Sequence, residues 1–116
     1  MLPNRPLNEL DLHNHAKHLP HFRGVFMLDN LPKKCHKYEC GIVNLDISSV
    51  SGTHWVAYYK NAYDIKYFDS FGNLNPPIEI INYLGDNIKY NYNSYQNYDS
   101  IICGHLCLHF LYNCHQ

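Results

Sequence analysis

Residues 103–114, "CGHLCLHFLYNC", leave little choice of local structure. The apolar side chains fall at positions 103, 106, 107, 110, 111 and 114. That is the stripe of a helix whose wide apolar face is turned to a core. A face of this width needs a partner layer, and the upstream segments supply strands. "FRGVFM" (22–27), "CGIVNLD" (40–46), "THWVAYYK" (53–60), "DIKYFD" (64–69) and "IKYNY" (88–92) are rich in β-branched and aromatic residues, the side chains that suit a pleated, half-buried surface.

Two further helices are expected. "PLNELDLHNHAKHL" (6–19) has a cap signal at Asn8, apolar positions at Leu7, Leu10, Ala16 and Leu19, and a solvated side carrying His13, His15 and His18. "PPIEIINYLG" (76–85) has proline at its start and glycine just past its end. "LPKK" (31–34) reads as a turn. The sum is an α+β domain over residues 1–116: a mixed or antiparallel sheet of about five strands packed on a buried helix.

Composition narrows the partners. The chain has 116 residues, 46% hydrophobic and 16% charged, with a formal net charge of −1. No apolar run approaches the ~20 residues of a spanning helix, and no block of Lys or Arg offers a nucleic-acid footprint. Neither a membrane nor DNA is therefore an expected partner. Five cysteines, with no secretory signal before the first helix, point to free thiols in a reducing, intracellular compartment, cytoplasm or nucleus. The Asn/Tyr-rich stretch 87–98 could be taken for a stacking surface, but beyond Lys89 it lacks the cations that hold phosphates. A/T-rich codon usage accounts for it more simply.

The strands at 53–60 and 64–69 form an expected hairpin. With Asn61-Ala62 as the loop, Lys60 pairs with Tyr63, and counting outward sets His54 opposite Asp69. A carboxylate beside an imidazole fixes its tautomer and favours the imidazolium. Cys103, in the first turn of the last helix, is the candidate nucleophile, because a helix N-terminus favours the thiolate. Gly104 leaves room for a substrate backbone, whereas Cys107, one turn deeper, reads as an inert core thiol. Gln96, seven residues before Cys103, could share an oxyanion hole with the Cys103 N–H, though a Gln in a polar loop is commonly a surface residue. Trp55, next to His54, is either a core anchor or a lining of the substrate groove.

"GTHWVAYY", "YFDSFG", the Gln and "CGHLCLHFL" together resemble the adenovirus-type cysteine proteases and their relatives specific for ubiquitin-like proteins. "HFRGVFMLDNLPKK" and "CGIVNLD" extend the likeness to the proteases of Polinton/Maverick virus-like elements. It spans roughly residues 7–114. The resemblance implies a papain-like architecture and a Cys103–His54–Asp69 triad with Gln96 at the oxyanion hole. It implies a thiol endopeptidase without cofactor or metal, virion-associated in some settings, that matures viral or element-encoded structural proteins at glycine-containing sites. Two features depart from the family. The chain ends thirteen residues beyond Cys103, where adenovirus-type enzymes carry further structure, so a minimal or C-terminally truncated domain is expected. Residues 41–102 hold no cysteine, and the net charge is close to zero, so activation by a disulfide-linked peptide or by DNA is not expected.

Several rival readings compete. Cys35 and Cys40 could join Cys103 and Cys107 around zinc, and His105 and His109 lie one helical turn apart, but Leu106 stands where a zinc protease has its glutamate. A silent binding module on the same fold, a deubiquitinase- or deSUMOylase-like isopeptidase, and an acyltransferase are the others. The last would need a basic or Gly-rich cradle for its coenzyme, and the sequence has none.

Overall fold

Asn8 opens the first helix with a reciprocal cap: its side chain accepts from the Asp11 N–H, while the Asp11 carboxylate accepts from the Asn8 N–H. In the computed structural model, which describes residues 2–46, 54–72, 74–85, 87–91 and 102–116, this helix, α1, runs Glu9–Ala16. It is shorter than the span 6–19, and the core face of that span keeps the expected Leu7 and Ala16 but not Leu10. Leu12 and Ala16 are buried, while Leu10 is 66% exposed.

Five strands follow among the described residues: β1 Phe22–Met27, β2 Tyr38–Asn44, β3 Trp55–Asn61, β4 Asp64–Phe68 and β5 Ile88–Tyr90. They lie in sheet order β1-β2-β3-β4-β5. The β2/β3 and β3/β4 pairs are antiparallel, and the outer pairs β1/β2 and β4/β5 are parallel. The sheet is therefore mixed. Helix α2, Ile78–Leu84, lies between β4 and β5 and ends at Gly85 with φ +101, a conformation that glycine adopts without strain. Helix α3, Cys103–Cys114, closes the domain.

Period-two alternation sends each central strand's side chains to two cores. On one face Ile42, Trp55, Ala57 and Phe68 meet Leu12 and Ala16 of α1 and Cys107, Leu108 and Leu111 of α3. On the other Val43, Val56, Tyr58, Ile65 and Tyr67 meet Ile80 and Leu84 of α2. The expected architecture of a sheet packed on a buried helix is present, and α2 covers the second face. No helix among the described residues is long and apolar enough to cross a membrane.

The β3/β4 hairpin differs from expectation in its loop. Asn61 pairs with Asp64, so the two loop residues are Ala62 and Tyr63, with Ala62 at φ +56. Every pairing partner moves by two residues. A shift of two keeps side chains on their expected faces, whereas a shift of one would have inverted them. Ala57 opposes Phe68, and the same count carried past the strand ends brings Phe71, not Asp69, level with His54.

One charge is sealed beneath the α2 face. Glu39 is 1% exposed. Its Oε1 accepts from Arg23 Nη1 and the His36 N–H, each at 2.9 Å. Its Oε2 accepts from the Tyr58 hydroxyl at 2.5 Å and from the Tyr83 hydroxyl. Gly41 makes room for this cluster: a Cβ there would lie 2.6 Å from the Tyr58 hydroxyl.

Candidate active site

Three elements converge at one end of the sheet. His54 directly precedes β3, Asp69 directly follows β4, and Cys103 is the first residue of α3. His54 Nε2 lies 2.9 Å from Asp69 Oδ1, with the two side chains only 15% and 2% exposed. Asp69 reaches the ring diagonally, a contact that long cross-strand neighbours can make. With Nε2 engaged, Nδ1 is the ring nitrogen left for the Cys103 thiol, to which His54 is also hydrogen-bonded. The structure thus brings these three sequence-selected residues together.

Asp69 does two things at once. The Oδ1 that meets His54 also accepts from the Phe71 N–H at 3.0 Å, which makes an Asx turn. The Gly72 N–H closes the same turn on the Asp69 carbonyl at 2.9 Å, with Gly72 at φ +81. Asn91, just beyond β5, clamps the backbone from the far side. Its Oδ1 accepts from the Asp69 N–H at 2.9 Å, and its Nδ2 donates to the Asp69 carbonyl at 2.7 Å. The Phe71 ring lies flat on the His54 imidazole, with centroids 4.2 Å apart and planes 4° from parallel. Neither Asn91 nor Phe71 was a candidate from sequence. A corrected hairpin loop would have pointed to Phe71, but nothing local distinguishes Asn91 among its Asn- and Tyr-rich neighbours.

The electrostatics follow from these contacts. Burial alone would lower the His54 pKa, but hydrogen bonds to Asp69 and Cys103, and their charges, outweigh it and raise the value to about 9. Burial alone would raise the Cys103 thiol. Hydrogen bonds from His54 and from the backbone N–H groups of Trp55 and Gly104, with the His54 charge, bring it below the ordinary value instead. The other four cysteines go the opposite way, burial being the largest cause in each. Cys35 is raised to about 11 and Cys40 to about 12, and Cys107 and Cys114 are also raised. Only one of the chain's thiols is poised to ionise.

Gly104, expected to leave room for a substrate backbone, and Trp55, read as either core anchor or groove lining, are both inside the core. Trp55 is 6% exposed, and its indole N–H donates to the Leu7 carbonyl at 3.1 Å. Gly104 lets the N-terminal segment close on α3, since a Cβ there would meet Leu7 Cβ at 3.1 Å and Leu12 Cδ2 at 3.3 Å. The backbone N–H groups of both still reach the Cys103 thiol. Gln96 lies outside the described residues, as does most of the stretch 87–98. Among the described residues, no group of three or more His, Cys, Asp or Glu is arranged to hold a metal ion. His105 Nε2 instead donates to the Pro3 carbonyl at 2.7 Å.

No model of a known protein family matches the chain, and no curated protein matches it significantly.

Proposed function

We propose that the chain is a thiol endopeptidase with the papain-like architecture of the adenovirus-type proteases, working inside the cell on element- or virus-encoded structural proteins at glycine-containing sites. The observation that carries this reading is the thiol itself. Cys103 heads a helix, hydrogen-bonds to an imidazole that is braced by a carboxylate at 2.9 Å, and has the one lowered pKa among five cysteines. A core thiol has no need of such an arrangement.

The chemistry then runs as follows. In the reacting form the pair is a thiolate and an imidazolium. Cys103 Sγ attacks the scissile carbonyl carbon and forms a C–S bond, and the carbonyl electrons move to oxygen. The Cys103 N–H, in the first turn of α3 where intrahelical acceptors are lacking, donates to that oxyanion, with the Gln96 amide as its expected partner. As the tetrahedral intermediate collapses, the C–N bond breaks and the imidazolium proton passes to the leaving amine. His54 then removes a proton from water, which attacks the thioester. The acid leaves and the thiolate returns. Asp69 holds the ring throughout.

The test is cleavage of a fluorogenic glycine-containing peptide by the purified chain. Hydrolysis should stop on thiol alkylation and be indifferent to chelator. The rate should rise as pH climbs through the lowered thiol value and fall again as it passes about 9, where the imidazolium deprotonates. Cleavage that survives alkylation and is abolished by chelator would overturn the reading, as would no cleavage by a protein whose five thiols react alike.

A further inference from the structure

We propose that Phe71 is a positioning residue that holds the His54 imidazole in the one plane where Nε2 meets Asp69 and Nδ1 meets Cys103. The inference deepens the endopeptidase reading and rests on it for its functional consequence.

The torsion that sets a histidine ring plane is broad, without sharp rotamer wells. Asp69 alone does not fix it. The ring is anchored at Cβ and, through the 2.9 Å contact, at Nε2. One freedom remains, rotation about the line joining those two atoms, and that rotation swings Nδ1 away from the thiol. A flat wall against the ring face opposes this motion. Phe71 is such a wall, 4.2 Å away and 4° from parallel, closer and flatter than the Phe68–Phe110 stack at 5.1 Å and 13°.

The wall is itself built to a fixed distance. Asp69 Oδ1 takes the His54 contact and the Phe71 N–H together, so one four-residue turn, Asp69–Gly72, delivers both the acid and the aromatic face. Asn91 grips the Asp69 N–H and carbonyl, so the turn is tied to β5. The phenyl face carries negative potential and favours a cation stacked on it over a neutral ring. Phe71 therefore supports both the orientation of His54 and its charge. The titratable groups that act on the ring are Asp69, from the turn after β4, and Cys103, from α3.

The test uses Phe71→Leu, which keeps an apolar side chain and the turn's N–H but removes the flat face. Two readouts are needed: the pH profile of peptide cleavage with its kcat and KM, and the titration of His54 followed by NMR. In Phe71→Leu, kcat should fall about tenfold, equivalent to about 1.4 kcal/mol, with KM little changed. His54 should titrate at lower pH, and the alkaline limb should move down with it. Phe71→Tyr, which keeps the face, should stay within about threefold of the parent enzyme. Should Phe71→Leu fail to fold, Phe71→Met fills similar space without a ring and carries the same expectation. A Phe71→Leu protein with lowered Tm but unchanged kcat and unchanged His54 titration would overturn the proposal, because Phe71 would then only fill the turn. The NMR titration decides this even if the parent protein cleaves no peptide, so failure here is separable from failure of the endopeptidase reading.

Discussion

Cys103→Ala is expected to abolish peptide cleavage, His54→Ala to lower kcat/KM at least about a thousand-fold, and Asp69→Asn by about ten- to a thousand-fold. The order follows from what each side chain does. Cys103 forms the bond that makes the intermediate. His54 is base, acid and the counter-charge that keeps the thiol ionised. Asp69 acts through His54, and a thiol needs less help from its base than a hydroxyl does. The geometry makes Asp69→Asn an unusually clean test of charge. Asp69 Oδ1 is the atom that accepts from both His54 and the Phe71 N–H, and an asparagine oxygen in that position keeps both contacts and the turn. What it loses is the negative charge that favours the imidazolium. Asp69→Glu should stay partly active, while Asp69→Ala removes the turn contact as well and should also lower Tm. Steady-state kinetics beside thermal melts separate these effects. An Asp69→Asn enzyme with full activity and an unchanged pH profile would reduce the triad to a Cys103–His54 dyad.

Glu39→Ala is expected to cost about 3–5 kcal/mol of stability, the scale for breaking a buried, hydrogen-bonded charge pair, and to lower Tm by roughly 10 °C or more. Glu39 joins Arg23 of β1, the His36 N–H, Tyr58 of β3 and Tyr83 of α2, so truncation strands donors from four places at once. Burial alone would raise the carboxyl pKa, but the two tyrosines, the His36 N–H and Arg23 together hold it below the ordinary 4.5. The sign follows. The unfolded carboxyl binds its proton more readily than the folded one, so this stabilisation is complete above about 4.5 and fades as pH falls through the folded value. Melting curves of Glu39→Ala at neutral pH, with parent curves between pH 3 and 6, check both statements. Catalysis per folded molecule should be unchanged, because the cluster lies on the α2 face and Cys103 on the other. A Glu39→Ala protein that melts with the parent would show that the cluster carries no net stability.

Much of this fold is written locally in the sequence. The helix at 103–114, the Asn8 cap and the Pro77/Gly85 ends of α2 each depend on a few adjacent residues and are found as expected. The buried line of α3, however, runs through Cys103, Gly104, Cys107, Leu108 and Leu111, leaving Leu106, Phe110 and Cys114 half-buried. The hairpin shows where local reading fails. Asn61 looks like a turn residue, yet the chain turns one position later, with Ala62 forced to φ +56. The faces survived only because the slip was even. Leu10, expected on the core face, is exposed and Leu12 is buried, because the rotation of a short helix is set by its partners, here α3 and β1. Glu39 was invisible in "KYECG", since a lone glutamate reads as solvated until three distant elements bring their donors to it. Asn91 was invisible for the same reason. Its contacts to the Asp69 N–H and carbonyl reach a backbone 22 residues away.

The central claim is that one thiol of five is set apart as a nucleophile. It is most directly tested by brief reaction of the folded chain, near neutral pH, with a limiting peptide electrophile, followed by mass-spectrometric mapping of the modified cysteine. Label should fall on Cys103, disappear in Cys103→Ala and His54→Ala, and persist in Cys107→Ala. Label spread evenly over Cys35, Cys103 and Cys114, or surviving Cys103→Ala at full yield, would contradict the account.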